Sequence, residues 1–220
     1  MADRWATFDC YGTLIDWMSG IRDTLFELWP ERDTELLLGA YHEIEPEVQR
    51  GRSIPYRRVL TEGLERLAHR EGLELEDDDR AALADSLPTW PPFREVPSAL
   101  AELRERGWKL AVLSNTDPDL LDASLSLIGV PADLRITAAE AGSYKPAPGH
   151  WNRFFEETKA ERSRHVHVAA SLLHDIAPCR DLGLTAVWIN RLREISELPR
   201  AAELPNLATL PEILDRLVPG

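Results

Sequence analysis

Phe8-Asp9-Cys10-Tyr11-Gly12-Thr13-Leu14 closes the first apolar run of the chain, Arg4 to Phe8. That run is short and rich in aromatic and β-branched residues, the pattern of a buried strand. Asp9 therefore sits just past a strand end, and Gly12 suits a tight turn behind it. A carboxylate in that position is either an exposed nucleophile solvated by backbone N–H groups or a simple turn cap. Working outward, further strands are predicted at Trp108–Leu113, Leu134–Thr137, His165–Ala169 and Thr185–Ile189. Between them, Ser98–Arg106, Asp119–Leu127, Pro148–Thr158 and His174–Leu182 carry apolar residues at helical spacing. Strand–helix alternation of this kind gives an α/β fold, a Rossmann-like parallel sheet with helices on both faces. It also gathers the strand C-termini at one edge, where open sheets of this type bind ligands.

Residues 15–91 break the alternation. Ile21–Trp29, Thr34–Arg50, Tyr56–Glu71 and Asp78–Leu87 are all helix-patterned, and the segment ends at the proline-rich stretch Leu87–Pro92. The expected organisation is a core domain of residues 1–14 and 92–220, with an all-helical cap of residues 15–91 inserted after the first strand.

Charge narrows the function. Of 220 residues, 25 are Lys or Arg and 38 are Asp or Glu, a net charge of −13. Such a surface repels polyphosphates, so neither nucleic acid nor an anionic membrane is an expected partner. A small anionic substrate remains compatible, because one cleft can be locally positive. Cys10 and Cys179 have no disulfide or zinc spacing, and no apolar run is long enough to span a bilayer. The N-terminus lacks the pattern of a signal peptide, so the chain reads as cytoplasmic with reduced thiols. Apolar faces on the helical segment are compatible with a homodimer.

Chemistry-bearing residues recur at the strand ends. Ser114 and Asn115 follow the second strand, Ser143-Tyr144-Lys145-Pro146 follows the third, and Ser171-Leu172-Leu173-His174-Asp175 follows the fourth. Together with Asp9 they supply a nucleophile, a hydroxyl, an ammonium and a second acid, in that order. This set resembles the haloacid dehalogenase-like hydrolase superfamily across essentially the whole chain. The resemblance implies Asp9 as nucleophile, with Ser114, Lys145 and Asp175 in the second, third and fourth motifs, and the helical insertion as the family's cap.

Within the superfamily, phosphatases carry a general acid two residues after the nucleophile, where this chain has Tyr11. An alkoxide needs a proton to leave, and a phenol with a pKa near ~10 is a poor donor at neutral pH. A halide needs none. Asp9-Cys10-Tyr11-Gly12-Thr13-Leu14 and Trp188-Ile189-Asn190-Arg191 resemble the 2-haloacid dehalogenase (type II) branch. The implied reaction is hydrolytic dehalogenation of short 2-haloacids through an aspartyl ester, with no cofactor required. In it Lys145 keeps Asp9 ionised, Asp175 orients Lys145 or activates water, and Thr13, Ser114 and Asn115 hold Asp9 or the substrate carboxylate. Tyr11 offers an aromatic wall and an O–H beside the halogen, while Ser171, Tyr41, His42, Trp151 and His174 are further candidate substrate contacts. The resembled branch usually places an arginine in the stretch Glu35–His42, which has none here. His42, Arg50, Arg52 and Arg58 are the available substitutes. His165 and His167 read as packing or solvent-facing residues.

Two alternatives remain at this stage. One is a Mg²⁺-dependent phosphatase on small phosphate esters, with the metal on Asp9, the Tyr11 carbonyl and Asp175. Against it, Ala170 replaces one expected acidic ligand. The other is a non-catalytic binding protein on the same fold.

Overall fold

The computed structural model describes residues 2–50, 52 and 54–220. Its centre is strand β1 (Arg4–Phe8), all five of whose residues are buried. β1 is flanked by β2 (Trp108–Ser114) and β4 (His165–Ala169), and the sheet extends through β3 (Leu134–Thr137), β5 (Ala186–Ile189) and β6 (Ala202–Leu204). The order is β3-β2-β1-β4-β5-β6 with every pair parallel. A parallel sheet is stable only when both faces are covered, which explains the near-continuous apolar character of its inner strands. Ala6, Phe8, Val112, Val166 and Val168 face one apolar cluster, whereas Trp5, Leu113, Ala169 and Trp188 face the other. Chain order reverses direction across β1 and β4, the switch point where such sheets open a crevice beyond the strand ends. Phe8 pairs with both Val112 and Val168, so Asp9 emerges level with the ends of β2 and β4.

Between β1 and the rest of the sheet the chain is helical: α1 (Trp17–Leu28), α2 (Thr34–Gln49), α3 (Tyr56–Glu71) and α4 (Ala82–Ser86). Asp16 caps α1 through the Ser19 N–H, so that helix begins four residues before the expected Ile21. The expected helix Asp78–Leu87 is broken into a 3₁₀ turn at Asp77–Asp79, α4, and a second turn at Leu87–Thr89. Trp90 is packed against α1 at Gly20, where an added Cβ would lie 2.2 Å from the indole. Helices α5 (Val96–Glu105), α6 (Pro118–Ile128), α7 (Ala138–Ala141), α8 (Gly149–Thr158) and α9 (Ala177–Asp181) then alternate with the strands. The predicted His174–Leu182 helix starts instead as a wide π turn over Leu172–Ile176, which runs directly into α9. Past β5 the structure adds β6 and the amphipathic α10 (Leu210–Leu217), neither of which the apolar patterning had indicated. Asp215 of α10 ties the far end of the sheet together by accepting bonds from Arg4, Arg106 and Trp108.

Candidate active site

The turn after β1 is wound tightly around one carbonyl. Cys10 O accepts the N–H groups of Thr13, Leu14 and Ile15, and Gly12 takes φ +88°, a conformation that side-chain-bearing residues rarely adopt. This winding brings Thr13 back beneath Asp9, where its hydroxyl donates to Asp9 Oδ2 at 2.9 Å. The same hydroxyl accepts the Ala170 N–H at 2.9 Å, which joins the ends of β1 and β4. Asp9 is 8% exposed, its carboxylate held but reachable.

Lys145 lies across that carboxylate. Its Nζ donates to Asp9 Oδ1 at 2.8 Å, Asp175 Oδ1 at 2.7 Å and Leu113 O at 2.9 Å, which uses all three ammonium protons. Burial opposes the charge on Lys145, but Asp175 and Asp9 outweigh it and raise its pKa above the ordinary lysine value. Burial likewise pushes Asp175 upward, yet the Lys145 ammonium and the bond from His167 hold its carboxyl well below the usual range. Asn115 fixes the lysine from behind. Its Oδ1 accepts the Lys145 N–H at 2.6 Å and its Nδ2 donates to the Lys145 carbonyl at 3.0 Å.

Behind Asp175 runs a buried polar chain. His167 Nε2 is 2.9 Å from Asp175 Oδ1, His167 Nδ1 is 2.8 Å from Thr7 Oγ1, and Thr7 Oγ1 is 2.8 Å from His165 Nε2. An ionised carboxylate only accepts, so His167 Nε2 carries a proton. Thr7 Oγ1 thus links the two imidazoles, His167 through Nδ1 and His165 through Nε2. His165 Nδ1 is left bare and buried, in keeping with a His165 pKa lowered to about 3 by burial and by His167. The two histidines thus pack inside the fold and also anchor the second acid, a role their alternation along β4 does not announce.

In front of Asp9 opens a cavity of about 470 Å³ between the strand ends and the helices α1 to α3. Tyr11, His42, Ser114, Asn115, Ser171 and His174 reach its wall, with Asp9, Lys145 and Asp175 at its floor. Two expected contacts do not. α2 turns its face of His42, Glu45, Pro46 and Gln49 to the cavity, while Tyr41 falls on the adjacent buried stripe with Leu37, Leu38, Ile44 and Val48, against Gly63 of α3. Trp151 lies on the other side of the sheet, edge-on to His167 at 5.3 Å. The phenol of Tyr11 is also not free to face a halogen: it bonds to Ser124 Oγ at 3.0 Å, and burial raises its pKa far above the ordinary value. Its ring forms the wall, stacked on Tyr56 at 6.1 Å. Asn115 serves Lys145 rather than Asp9. Ser171 caps the π turn, accepting the His174 N–H.

No arginine of the helical segment reaches the cavity among the described residues. Arg52 and Arg58 are both spent on Glu62. The arginine on the wall is Arg191, from the turn after β5. Its guanidinium donates to Gly12 O and Thr13 O, pairs with Glu95 at 2.8 Å and covers the Phe93 ring at 3.5 Å. Sequence reasoning also missed Glu45, a single acid in a helix already rich in them.

The model of the haloacid dehalogenase-like hydrolase family matches residues 4–183. The chain belongs to that family. It is 30% identical over 200 residues to an (S)-2-haloacid dehalogenase of Pseudomonas sp. (strain YL), an alignment covering 86% of this chain and 84% of the relative. Identity to (S)-2-haloacid dehalogenase 2 of Pseudomonas sp. (strain CBS-3) is 29% over 200 residues, with 88% and 86% covered. The fold superposes on an L-2-haloacid dehalogenase of Xanthobacter autotrophicus, solved with chloropropionic acid covalently bound. The TM-score is 0.85 at 22% identity, over 96% of this chain and 98% of that one. This haloacid dehalogenase-like protein is therefore a hydrolase on a Rossmann-like core.

The donor set expected for Mg²⁺ fits poorly. Asp9 and Asp175 share one ammonium, and Ala170 stands where another carboxylate would be needed. Among the described residues no three His, Cys, Asp or Glu side chains are placed to hold an ion together. Mg²⁺ requires near-octahedral oxygen ligation, which two carboxylates already bridged by Lys145 do not offer. Among the described residues no helix is long and apolar enough to cross a membrane.

Proposed function

We propose that the protein hydrolyses 2-haloacids to 2-hydroxy acids and halide through an ester on Asp9, without a cofactor. One observation carries the reading: Asp9 is held for attack by Lys145 and Thr13, while no proton donor stands two residues on. Tyr11 occupies that place with its phenol turned to Ser124. Only a leaving group that departs as a stable anion suits such a site. The names of the curated relatives support the same substrate class.

In the first step a carboxylate oxygen of Asp9 attacks C2 and forms a C–O bond as the C–halogen bond breaks, the halide leaving with the electron pair. In the second, water adds to the ester carbonyl carbon and the bond from that carbon to the alkoxy oxygen breaks. The alkoxide takes one water proton, the other is released, and Asp9 is regenerated with one oxygen from water. Lys145 and Thr13 hold Asp9 in place. Asp175, with its carboxyl held so low, is a weak base, and its part is to orient Lys145, with His167 behind it. Ser114 and Ser171 on the wall are placed to meet the substrate carboxylate. Residues 15–91 act as the cap over residues 1–14 and 92–220, excluding water from the attacking carboxylate.

The test is halide release from 2-chloro- and 2-bromopropionate, with and without EDTA, beside phosphate release from p-nitrophenyl phosphate with Mg²⁺. Halide release unaffected by EDTA and lost in Asp9→Asn is expected, with heavy oxygen from labelled water entering Asp9 in a single turnover. Phosphate release abolished by EDTA, with every haloacid left intact, overturns the proposal.

A further inference from the structure

The cavity contains an acid that dehalogenation does not use. Glu45 projects from α2 into the wall, half-buried, and its Oε1 accepts the Tyr56 hydroxyl at 2.8 Å and the Gln49 amide at 3.1 Å. Both donors are neutral, so burial raises the carboxyl and no cation offsets it. An acid kept in such surroundings is costly unless its remaining oxygen is satisfied. That oxygen, Oε2, has no protein partner among the described residues, and it is not among the buried unpartnered atoms either. It is therefore not enclosed by protein, on a residue that lines the cavity.

Size points the same way. About 470 Å³ lies in the range of pockets that enclose ligands much larger than a two- or three-carbon acid. The stacked rings of Tyr11 and Tyr56 form a continuous apolar wall from the residue two beyond Asp9 to the residue that holds Glu45. Arg191 is already committed to Gly12, Thr13 and Glu95, and burial and the nearby Arg22 both disfavour a charge on His42. Neither supplies a counter-ion for Glu45. A second carboxylate on the substrate would be repelled there, whereas an N–H or O–H donor would complete it.

We propose that Glu45 is a specificity-determining residue for the far end of the substrate. The preferred 2-haloacid carries a hydrogen-bond donor, an ammonium or a hydroxyl, on an apolar tail that lies along Tyr11 and Tyr56. The inference rests on the haloacid reading for its reaction, and on Glu45 alone for its selectivity.

The experiment measures kcat/KM for chloride release from 2-chlorohexanoate and from its 6-amino, 6-hydroxy and 6-carboxy derivatives. A bond to a charged partner is worth roughly ten-fold or more. Wild type is thus expected to favour at least one donor-tailed acid over the plain alkyl acid by about ten-fold, and to disfavour the 6-carboxy acid. The ratio should collapse toward unity in Glu45→Leu. In Glu45→Gln, which keeps an oxygen but no charge, only the 6-amino preference should fall. Discrimination of less than two-fold by wild type, or a ratio that survives in Glu45→Leu, overturns the proposal while leaving dehalogenation intact. If no haloacid releases chloride, the reaction is wrong, and equilibrium binding of 6-aminohexanoate against hexanoate reads Glu45 separately. Ten-fold tighter binding of the amino acid, lost in Glu45→Leu, supports the subsite; equal binding refutes it.

Discussion

Replacing Lys145 with methionine removes the charge and keeps the volume of the stem, so it isolates what the ammonium contributes. The side chain is 1% exposed and touches Asp9 and the fully buried Asp175. Removing one partner from a buried ionic cluster costs about 3–5 kcal/mol, because the charges left behind have no water to turn to. For a chain of this length that corresponds to a fall in Tm of about 10 °C at pH 8. The pH dependence identifies the cause. In the native protein Lys145 is raised and Asp175 lowered. The stability from Lys145 is complete below the free lysine pKa of ~10.4 and is lost as pH rises through the folded value. That from Asp175 is complete above the free value of ~3.9 and is lost as pH falls through the folded one. Their joint contribution is flat between about pH 5 and 9. In Lys145→Met burial acts on Asp175 unopposed by an ammonium, so proton uptake relieves the site. The Tm deficit relative to wild type should therefore shrink by several degrees on going from pH 8 to pH 5. Calorimetric melts of the two proteins at both pH values measure it. A deficit under 3 °C at pH 8, or one that does not change with pH, would refute the electrostatic account of this cluster.

Thr13→Val deletes the donor to Asp9 and orphans the Ala170 N–H, so thermal melts should show a loss of about 1–3 kcal/mol and the assay a fall in turnover. Gly20→Ala improves helix propensity by about 1 kcal/mol but drives a methyl into Trp90, so the net effect in urea titration is destabilising and accompanied by altered indole fluorescence. His150 is lowered to about 4 and His165 to about 3, each chiefly by burial, with Lys145 and His167 the next causes. The unfolded chain takes up their protons first. Urea titrations should show stability falling by about 1.4 kcal/mol per pH unit per histidine between pH 6 and 4.5; a flat profile there contradicts the neutral assignment.

The legible elements were those whose pattern is local. β1, β3 and β4 fall at the residues read from the sequence, since each is a short run that carries β-branched or aromatic residues. β6 carries only Leu204 into the core, and it is a strand because β5 lies beside it. The floor of the cavity was legible because its members occur in order at successive strand ends, and the parallel topology converts that order into proximity. The walls were not. Tyr41 and Glu45 lie one helical turn apart on α2, and only the packing of α2 against α3 settles which stripe meets the cavity. Period-two alternation puts His165 and His167 on one face of β4, but their partner Thr7 is 158 and 160 residues away.

Asp117 opens α6, yet its carboxylate receives the first free N–H groups of α3, from Tyr56 and Arg57, at 2.9 Å each. Pro55 provides α3 with no side-chain cap of its own. Tyr144, next to Lys145, adds a bond to the Ile54 carbonyl at 2.6 Å. The cavity roof is thus bolted to its base through the start of a helix, whose first N–H groups have Asp117 as their side-chain cap. Asp117, half-buried, therefore completes the start of a helix that begins 61 residues before it.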